Sequence, residues 1–281
     1  MTAGTISFVG AGPGAADLIT LRGAARLGGA DIVIWASSLV PEELLGHARP
    51  EAVVHDSKTM TLEDVLAVYG ANPEAAIVRL HSGDPALYGA VQEQVDWCQA
   101  QDRPYEVVPG VSSLAAAAAL VGRELTIPTV SQSVVITRLA NRTSASMPPG
   151  ETIAAYAATG CTLAVFLSAA HPEDLQGELL GPTSAYGPDT PAAIVIRASW
   201  PDERMVLTTV GELAGAMRTS GATLTVLVLV GDFLRSEGET PRSHLYSPGF
   251  AHTFRKRSTP GTTEGRPAGG RLARAARARK R

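Results

Sequence analysis

Arg79-Leu-His-Ser-Gly-Asp-Pro-Ala-Leu-Tyr-Gly89 is the stretch on which the reading of this chain turns. Ala75-Ala-Ile-Val-Arg-Leu80 reads as a short buried strand, and residues 86–101 read as a helix. Between them Ser82-Gly83-Asp84-Pro85 make a tight turn at the strand's carboxyl end, the edge where open α/β sheets bind ligands. Glycine lets a ligand approach the backbone, and a carboxylate accepts ligand hydroxyls. Pro85 suits a first helical turn, where its missing N–H costs nothing. Taken singly, the motif is only a strand-to-helix turn. Its company along the chain gives it more weight.

Toward the N-terminus, residues 5–9 read as a strand that runs into Gly10-Ala-Gly-Pro-Gly14. Asp17 precedes a helix over 18–27, with Leu18, Leu21, Ala25 and Gly28 expected on its buried face. Strands follow at 31–35 and 52–55, separated by a short helix opened by Pro41. Thr61 and Asp64 start a helix in capping-box fashion. Beyond the central turn, residues 105–109 form a strand, Gly110 turns the chain, and Ser112-Ser113 cap an alanine helix over 114–120. Strands alternating with helices over short loops predict a mostly parallel sheet wrapped by helices.

A second set follows a connection near 123–128: strands at 134–137, 163–167, 192–196, 205–208 and 224–230, and helices at 152–158, 172–180 and 210–217. Trp200-Pro-Asp-Glu203 reads as the turn of a hairpin, so this half is a mixed sheet. The expected division is 1–122, 123–236, and a Pro-, Gly-, Ser- and Arg-rich tail over 237–281, poorly ordered.

Composition narrows the function. The chain has 281 residues, 45% hydrophobic and 18% charged, as a packed globular protein does. Cys98 and Cys161 stand far apart, which gives no disulfide framework and fits a reducing cytoplasm. The six histidines show no ligand spacing, so no metal site is expected. No apolar run reaches the roughly 18–20 residues of a membrane helix, and no membrane partner is expected. The net charge of −3 divides unevenly: residues 255–281 carry +9 and the rest −12.

Gly10-Ala-Gly-Pro-Gly-Ala15 superficially matches a dinucleotide fingerprint. However, Pro13 removes an N–H from a loop that would present N–H groups to a pyrophosphate, and the second strand ends in Trp35-Ala-Ser-Ser rather than an acid. Three strand ends instead offer small or polar groups: Gly12-Pro13-Gly14, Ser82-Gly83-Asp84 and Gly110-Val111-Ser112-Ser113. The last leads into a helix N-terminus that favours a carboxylate. These features suit S-adenosylmethionine, which has a ribose, an ammonium and a carboxylate but no pyrophosphate.

Four segments in consistent order and spacing carry a resemblance: Val9-Gly-Ala-Gly-Pro-Gly14 with Asp17-Leu-Ile-Thr20, Ser82-Gly-Asp-Pro85, Val108-Pro-Gly-Val-Ser-Ser113, and Thr162-Leu-Ala-Val-Phe-Leu-Ser168. On these the chain resembles the tetrapyrrole (class III) S-adenosylmethionine-dependent methyltransferases. Segments 36–41, 58–63, 79–85 and 122–138, mostly outside the shared cofactor turns, look like the members that act on a corrin-ring precursor. The resemblance implies two αβα domains with the methyl donor in the cleft between them, and a homodimer. Two departures are Ala15, where an acid is usual, and the basic tail.

By motif position, the resemblance places Pro13, Ser82, Gly83, Asp84, Leu87, Ser112, Ser113, Leu167 and Ala198 against the donor. It implies a polycarboxylate tetrapyrrole as the other substrate, metal-free or cobalt-containing. Arginine forks match carboxylates, so Arg138 and Arg142 are candidate substrate contacts, with His81 a third by position. No catalytic base is assigned. Judged alone, Leu87 and Leu167 would be core residues, Asp84 a helix cap, and each arginine a solvated charge. The competing reading is a nucleic-acid binder using the basic tail. With only Phe254 as a nearby aromatic and no recognition motif, nucleic acid is not expected as a partner.

Overall fold

A computed structural model describes residues 3–140, 146–235, 241 and 243–257 of the chain. The first sheet contains β1 (Ile6–Gly10), β2 (Ile32–Trp35), β3 (Val53–Asp56), β4 (Ile77–His81) and β5 (Tyr105–Val108). They lie in the order β3-β2-β4-β1-β5, all parallel. Successive side chains alternate between faces. Ile6, Phe8, Ile34 and Ile77 therefore pack against α2 (Leu62–Ala71) and α3 (Gln92–Ala100), while Val9, Val33 and Leu80 pack toward α1 (Leu21–Gly28) and the 3-10 turn Glu42–His47. The chain leaves β1 toward β2 on one side and leaves β4 toward β5 on the other. The adjacent ends of β1 and β4 are thus the point where the winding reverses, and a crevice opens there.

The second sheet has the order β6-β7-β10-β8-β9, from β6 (Val134–Arg138), β7 (Thr162–Phe166), β8 (Pro191–Ile196), β9 (Arg204–Thr209) and β10 (Val226–Val230). Only β6 and β7 pair in parallel, so this sheet is mixed, as expected. β10 lies between β7 and β8 and is buried at every position, which explains its unbroken Val-Leu-Val-Leu-Val. α5 (Ile153–Ala157), α6 (Pro172–Leu179) and α7 (Leu213–Ser220) cover one face. The other is covered by α4 (Ser113–Val121), whose Leu114 and Ala117 pack with Ala164, Val195 and Leu229. Although α4 follows the last strand of the first sheet, its packing belongs to the second.

The capping box is present: Thr61 and Asp64 bond reciprocally at the start of α2. Other boundaries differ from expectation. Asp17 caps nothing; it lies exposed in a 3-10 turn, Ala16–Leu18. Thr20 is the cap of α1, its hydroxyl accepting from Gly23 N at 3.0 Å. The buried face of α1 is Gly23 and Leu27, and Leu21 is 93% exposed. A leucine-spacing argument missed this, because Gly23 is the residue that lets the helix approach: a Cβ there would stand 2.9 Å from Val9 Cγ1.

The helix expected from residue 86 begins only at Gln92. Tyr88 and Ala90 take φ of 56° and 47°, which interrupts any helix, and the Tyr88 ring meets Phe166 of the second sheet at 5.4 Å. A tertiary contact has overridden the proline-first signal. Residues 243–257, expected to lack order, contain the 3-10 turn His244–Tyr246, and the Arg255 guanidinium is bonded by the carbonyls of Leu245, Ser247 and Phe250. Residues 236–240, 242 and 258–281 lie outside the described residues.

Candidate active site

The ends of β1, β4 and β5 are stitched together by backbone. Gly12 N donates to Gly83 O at 3.2 Å and Gly83 N to Gly12 O at 2.8 Å, while Ala11 N donates to His81 O at 2.8 Å. Gly83 sits at φ +65°, a conformation that favours glycine. A Cβ on Gly10 would stand 2.5 Å from Gly110 Cα, and one on Gly110 would stand 2.1 Å from Gly83 O. These glycines therefore exist so that three turns can touch each other. Asp84 adds the cross-piece: one carboxylate oxygen accepts from Ala86 N at 2.8 Å, the other from Gly110 N at 2.9 Å. Both oxygens serve backbone, where the sequence reading expected a group for ligand hydroxyls. Ser112 caps α4 by accepting from Leu114 N at 3.2 Å, and Ser113 opens the helix. Ser82 stands exposed beside them and Leu87 is half-buried.

Opposite this cradle lie the ends of β6, β7 and β8. Leu167, one residue past β7, is 61% exposed and held at φ +52°. An exposed leucine held in a strained backbone well is a candidate ligand contact. Ala198 is buried just beyond β8. Arg138, the last residue of β6, donates to Ser146 Oγ at 2.8 Å and lies close enough to Tyr88 to oppose the rise that burial imposes on that phenol's pKa. Arg142 lies outside the described residues. Arg123, in the connection between the two sets of strands, donates to the carbonyls of Phe233 and Arg235.

A link between the two sheets was not foreseen. Trp200 Nε1 donates to Pro13 O at 3.0 Å, and Ala15 N donates to Ser199 Oγ at 3.0 Å. A Cβ on Gly14 would stand 2.3 Å from the Trp200 ring, so Gly14 is glycine to admit the indole. Pro13 is buried beneath this contact. The only sequence signal was a tryptophan at a hairpin tip.

His81 is buried, and its pKa is pushed down to about 4, first by burial and then by the Arg79 charge, against a backbone bond to Gly89. It is a neutral imidazole at neutral pH. The carboxyl of Asp56 lies well below the usual carboxylate range because the Ser37 hydroxyl donates to it at 2.6 Å, with the Ser37 and Lys58 N–H groups adding to this. Asp31, at the opposite edge of the sheet, accepts from Ala76 N at 2.7 Å and pairs with Arg49. It has no access to the crevice and is no ribose ligand. Among the described residues no helix is long and apolar enough to cross a membrane, and no group of three His, Cys, Asp or Glu is placed to hold a metal.

The arrangement sets a backbone cradle at the ends of β1, β4 and β5 near an exposed leucine and an arginine at the ends of β7 and β6, with Tyr88–Phe166 and Trp200–Pro13 contacts linking the two sheets. Residues 5–214 match the family model described as tetrapyrrole (corrin/porphyrin) methylases. The chain is 43% identical over 255 residues to a precorrin-4 C(11)-methyltransferase of a Sinorhizobium species, covering 90% of this chain and 99% of that one. Among solved structures, a cobalt precorrin-4 methyltransferase described as a cobalamin biosynthetic enzyme superposes with a TM-score of 0.78 at 39% identity, covering 82% of this chain and 96% of that one. Uroporphyrin-III C-methyltransferase from Thermus thermophilus, complexed with S-adenosyl homocysteine, gives 0.68 at 28% identity over 84% and 96%.

Proposed function

Because the chain belongs to the tetrapyrrole (corrin/porphyrin) methylase family, we propose that it transfers a methyl group from S-adenosylmethionine to C-11 of precorrin-4, or of its cobalt-containing counterpart, in corrin-ring biosynthesis. The observation that carries this reading is the extent of the likeness. At 43% identity it covers 99% of the relative's length, so it includes segments 36–41, 58–63 and 122–138, which no donor turn accounts for.

The donor supplies its own leaving group, a sulfonium whose S–C bond breaks as the acceptor carbon forms a C–C bond to the methyl. The electron pair returns to sulfur, and the macrocycle loses a proton to keep the charge balanced. The protein's part is then to hold, orient and exclude water. Gly83, Asp84, Ser112 and Ser113 shape one wall of the donor site, with Ser82 and Leu87 at its lip and Pro13 fixed behind it by Trp200. Leu167 and Ala198 close it from the second sheet. Arg138 holds an acceptor carboxylate, and Arg142 belongs to the same set by position. We further propose the division 1–122, 123–236 and 237–281, a homodimer, and work in the cytoplasm.

Incubation with precorrin-4 and donor carrying a 13C-labelled methyl tests the assignment. Carbon NMR of the product should show the label at C-11. Label at another ring carbon would leave the chain a family member with a different position of attack.

A further inference from the structure

Among the described residues, no acid pairs with Arg79. Its backbone pairs with Phe8 on one side and Ile34 on the other, in the middle of the first sheet. The side chain runs toward the carboxyl edge, where Nη1 donates to Ser57 Oγ at 2.8 Å, with longer contacts to the carbonyls of Ile34 and Leu80 at 3.4 and 3.5 Å. Nε is sealed from water and has no partner. Burial pushes the guanidinium's pKa down, and the one group acting the other way is Tyr69, not a carboxylate. Asp56, next to Ser57 in the chain, is taken up by Ser37 and Lys58.

A half-buried charge with no acid beside it is costly, and arginine cannot shed its proton to avoid the cost. The comparison with Arg103 is informative. That residue is buried and also lacks an acid, but it donates to the carbonyls of Asn72 at 3.0 Å and Ala75 at 2.9 Å, by the end of α2 at the opposite edge of the sheet. It is a brace. Arg79 lies at the ligand edge, and only Nη1 is engaged. Beside it, His81 Nε2 is also buried and unpartnered. The Nε2 of a neutral imidazole is a lone pair and no donor, so it is the unbalanced charge of Arg79, flanked by the segments 36–41 and 58–63, that indicates an anion arriving from outside.

We propose that Arg79, with Ser57 beside it, is a carboxylate seat that receives one acid side arm of the tetrapyrrole acceptor. It lies on the β3-β2-β4 half of the edge, while the donor cradle lies on the β4-β1-β5 half. Ser57 pins Nη1 and Nε is sealed, so Nη2 is the nitrogen offered to an incoming carboxylate oxygen. The inference rests on the reading that the acceptor is a polycarboxylate macrocycle.

The test is steady-state methylation of precorrin-4 by wild type, Arg79→Gln and Arg79→Lys, with S-adenosylhomocysteine affinity and thermal melting measured in parallel. The expected result is an acceptor KM raised about ten- to hundredfold in Arg79→Gln, the loss of one charge-assisted contact, with a smaller rise in Arg79→Lys, which keeps the charge but not the fork. Donor-product affinity should stay unchanged. An unchanged acceptor KM in either folded variant overturns the seat. Should neither variant fold, backbone hydrogen exchange in wild type decides: adding uroporphyrin, a stable polycarboxylate, must slow the amides of residues 57–60, and no slowing overturns the seat. Absence of wild-type turnover defeats the proposed function itself, whereas turnover with unmoved KM in the variants defeats only this assignment.

Discussion

Asp84 has a structural task beside the one that the sequence suggests. Its carboxylate bonds to Ala86 N and Gly110 N, so it fixes the turn after β4 to the turn after β5. Removing it leaves the half-buried Gly110 N–H without its acceptor, at a cost of about 1–3 kcal/mol. Asp84→Ala should therefore lower the unfolding free energy of the ligand-free protein by that amount and weaken S-adenosylhomocysteine binding about tenfold or more, by calorimetry. Asp17→Ala, in an exposed turn, should change neither. A contact made only to the ligand would leave the ligand-free stability where it was, and that outcome would refute the clamp.

Among elements, the segment 197–203 between β8 and β9 is the clearest case of structure the sequence did not disclose. Arg197 stacks on the Trp200 ring with its guanidinium carbon 4.1 Å from the centroid and pairs with Asp202 at 2.7 Å, while Ser199 N donates to Glu203 at 2.7 Å. Arg197 and Ser199 sit at φ 51° and 68°. The tip is thus stiffened from within and delivers Trp200 to Pro13. Trp200→Phe keeps a ring but loses the N–H, about 0.5–1.5 kcal/mol, so the affinity for S-adenosylhomocysteine should fall about two- to tenfold with little change in acceptor KM. Unaltered affinity in a folded variant would show that the link does not position the donor turn.

The same contrast explains what was legible. The capping box at Thr61, the glycine turns and the strand ends are local matters, set by residues a few positions apart. Tyr88 against Phe166, Trp200 against Pro13, and α4 on the second sheet depend on partners far along the chain. Spacing does not encode those partners. Arg79 belongs to a local motif, but the lack of an acid beside it among the described residues depends on neighbours from other strands and helices.

For the whole molecule, the two sheets are joined through their edges, and the basic charge follows them in the sequence. Residues 258–281 hold seven Lys/Arg and one acid. Cutting after Arg257 keeps the Arg255 brace and removes +6. Such a truncated protein should keep its kcat. Its acceptor KM should rise only at low ionic strength, because a polyanion's attraction to a remote charge is screened beyond about 10 Å at 0.1 M salt. Loss of kcat at every salt concentration would mean that the tail takes part in the site.

The contact of Gly10, Gly83 and Gly110 has a consequence for how this protein tolerates change. Their approach is made of main chain, with no side-chain atoms to delete. A scan that trims residues would pass over the cradle almost in silence, whereas one methyl added at position 10 or 110 must displace backbone. The mutational fingerprint of the donor site is therefore asymmetric: it resists subtraction and is broken by the smallest addition. Variation accumulating across such a fold would leave these three positions bare while the walls around them drift.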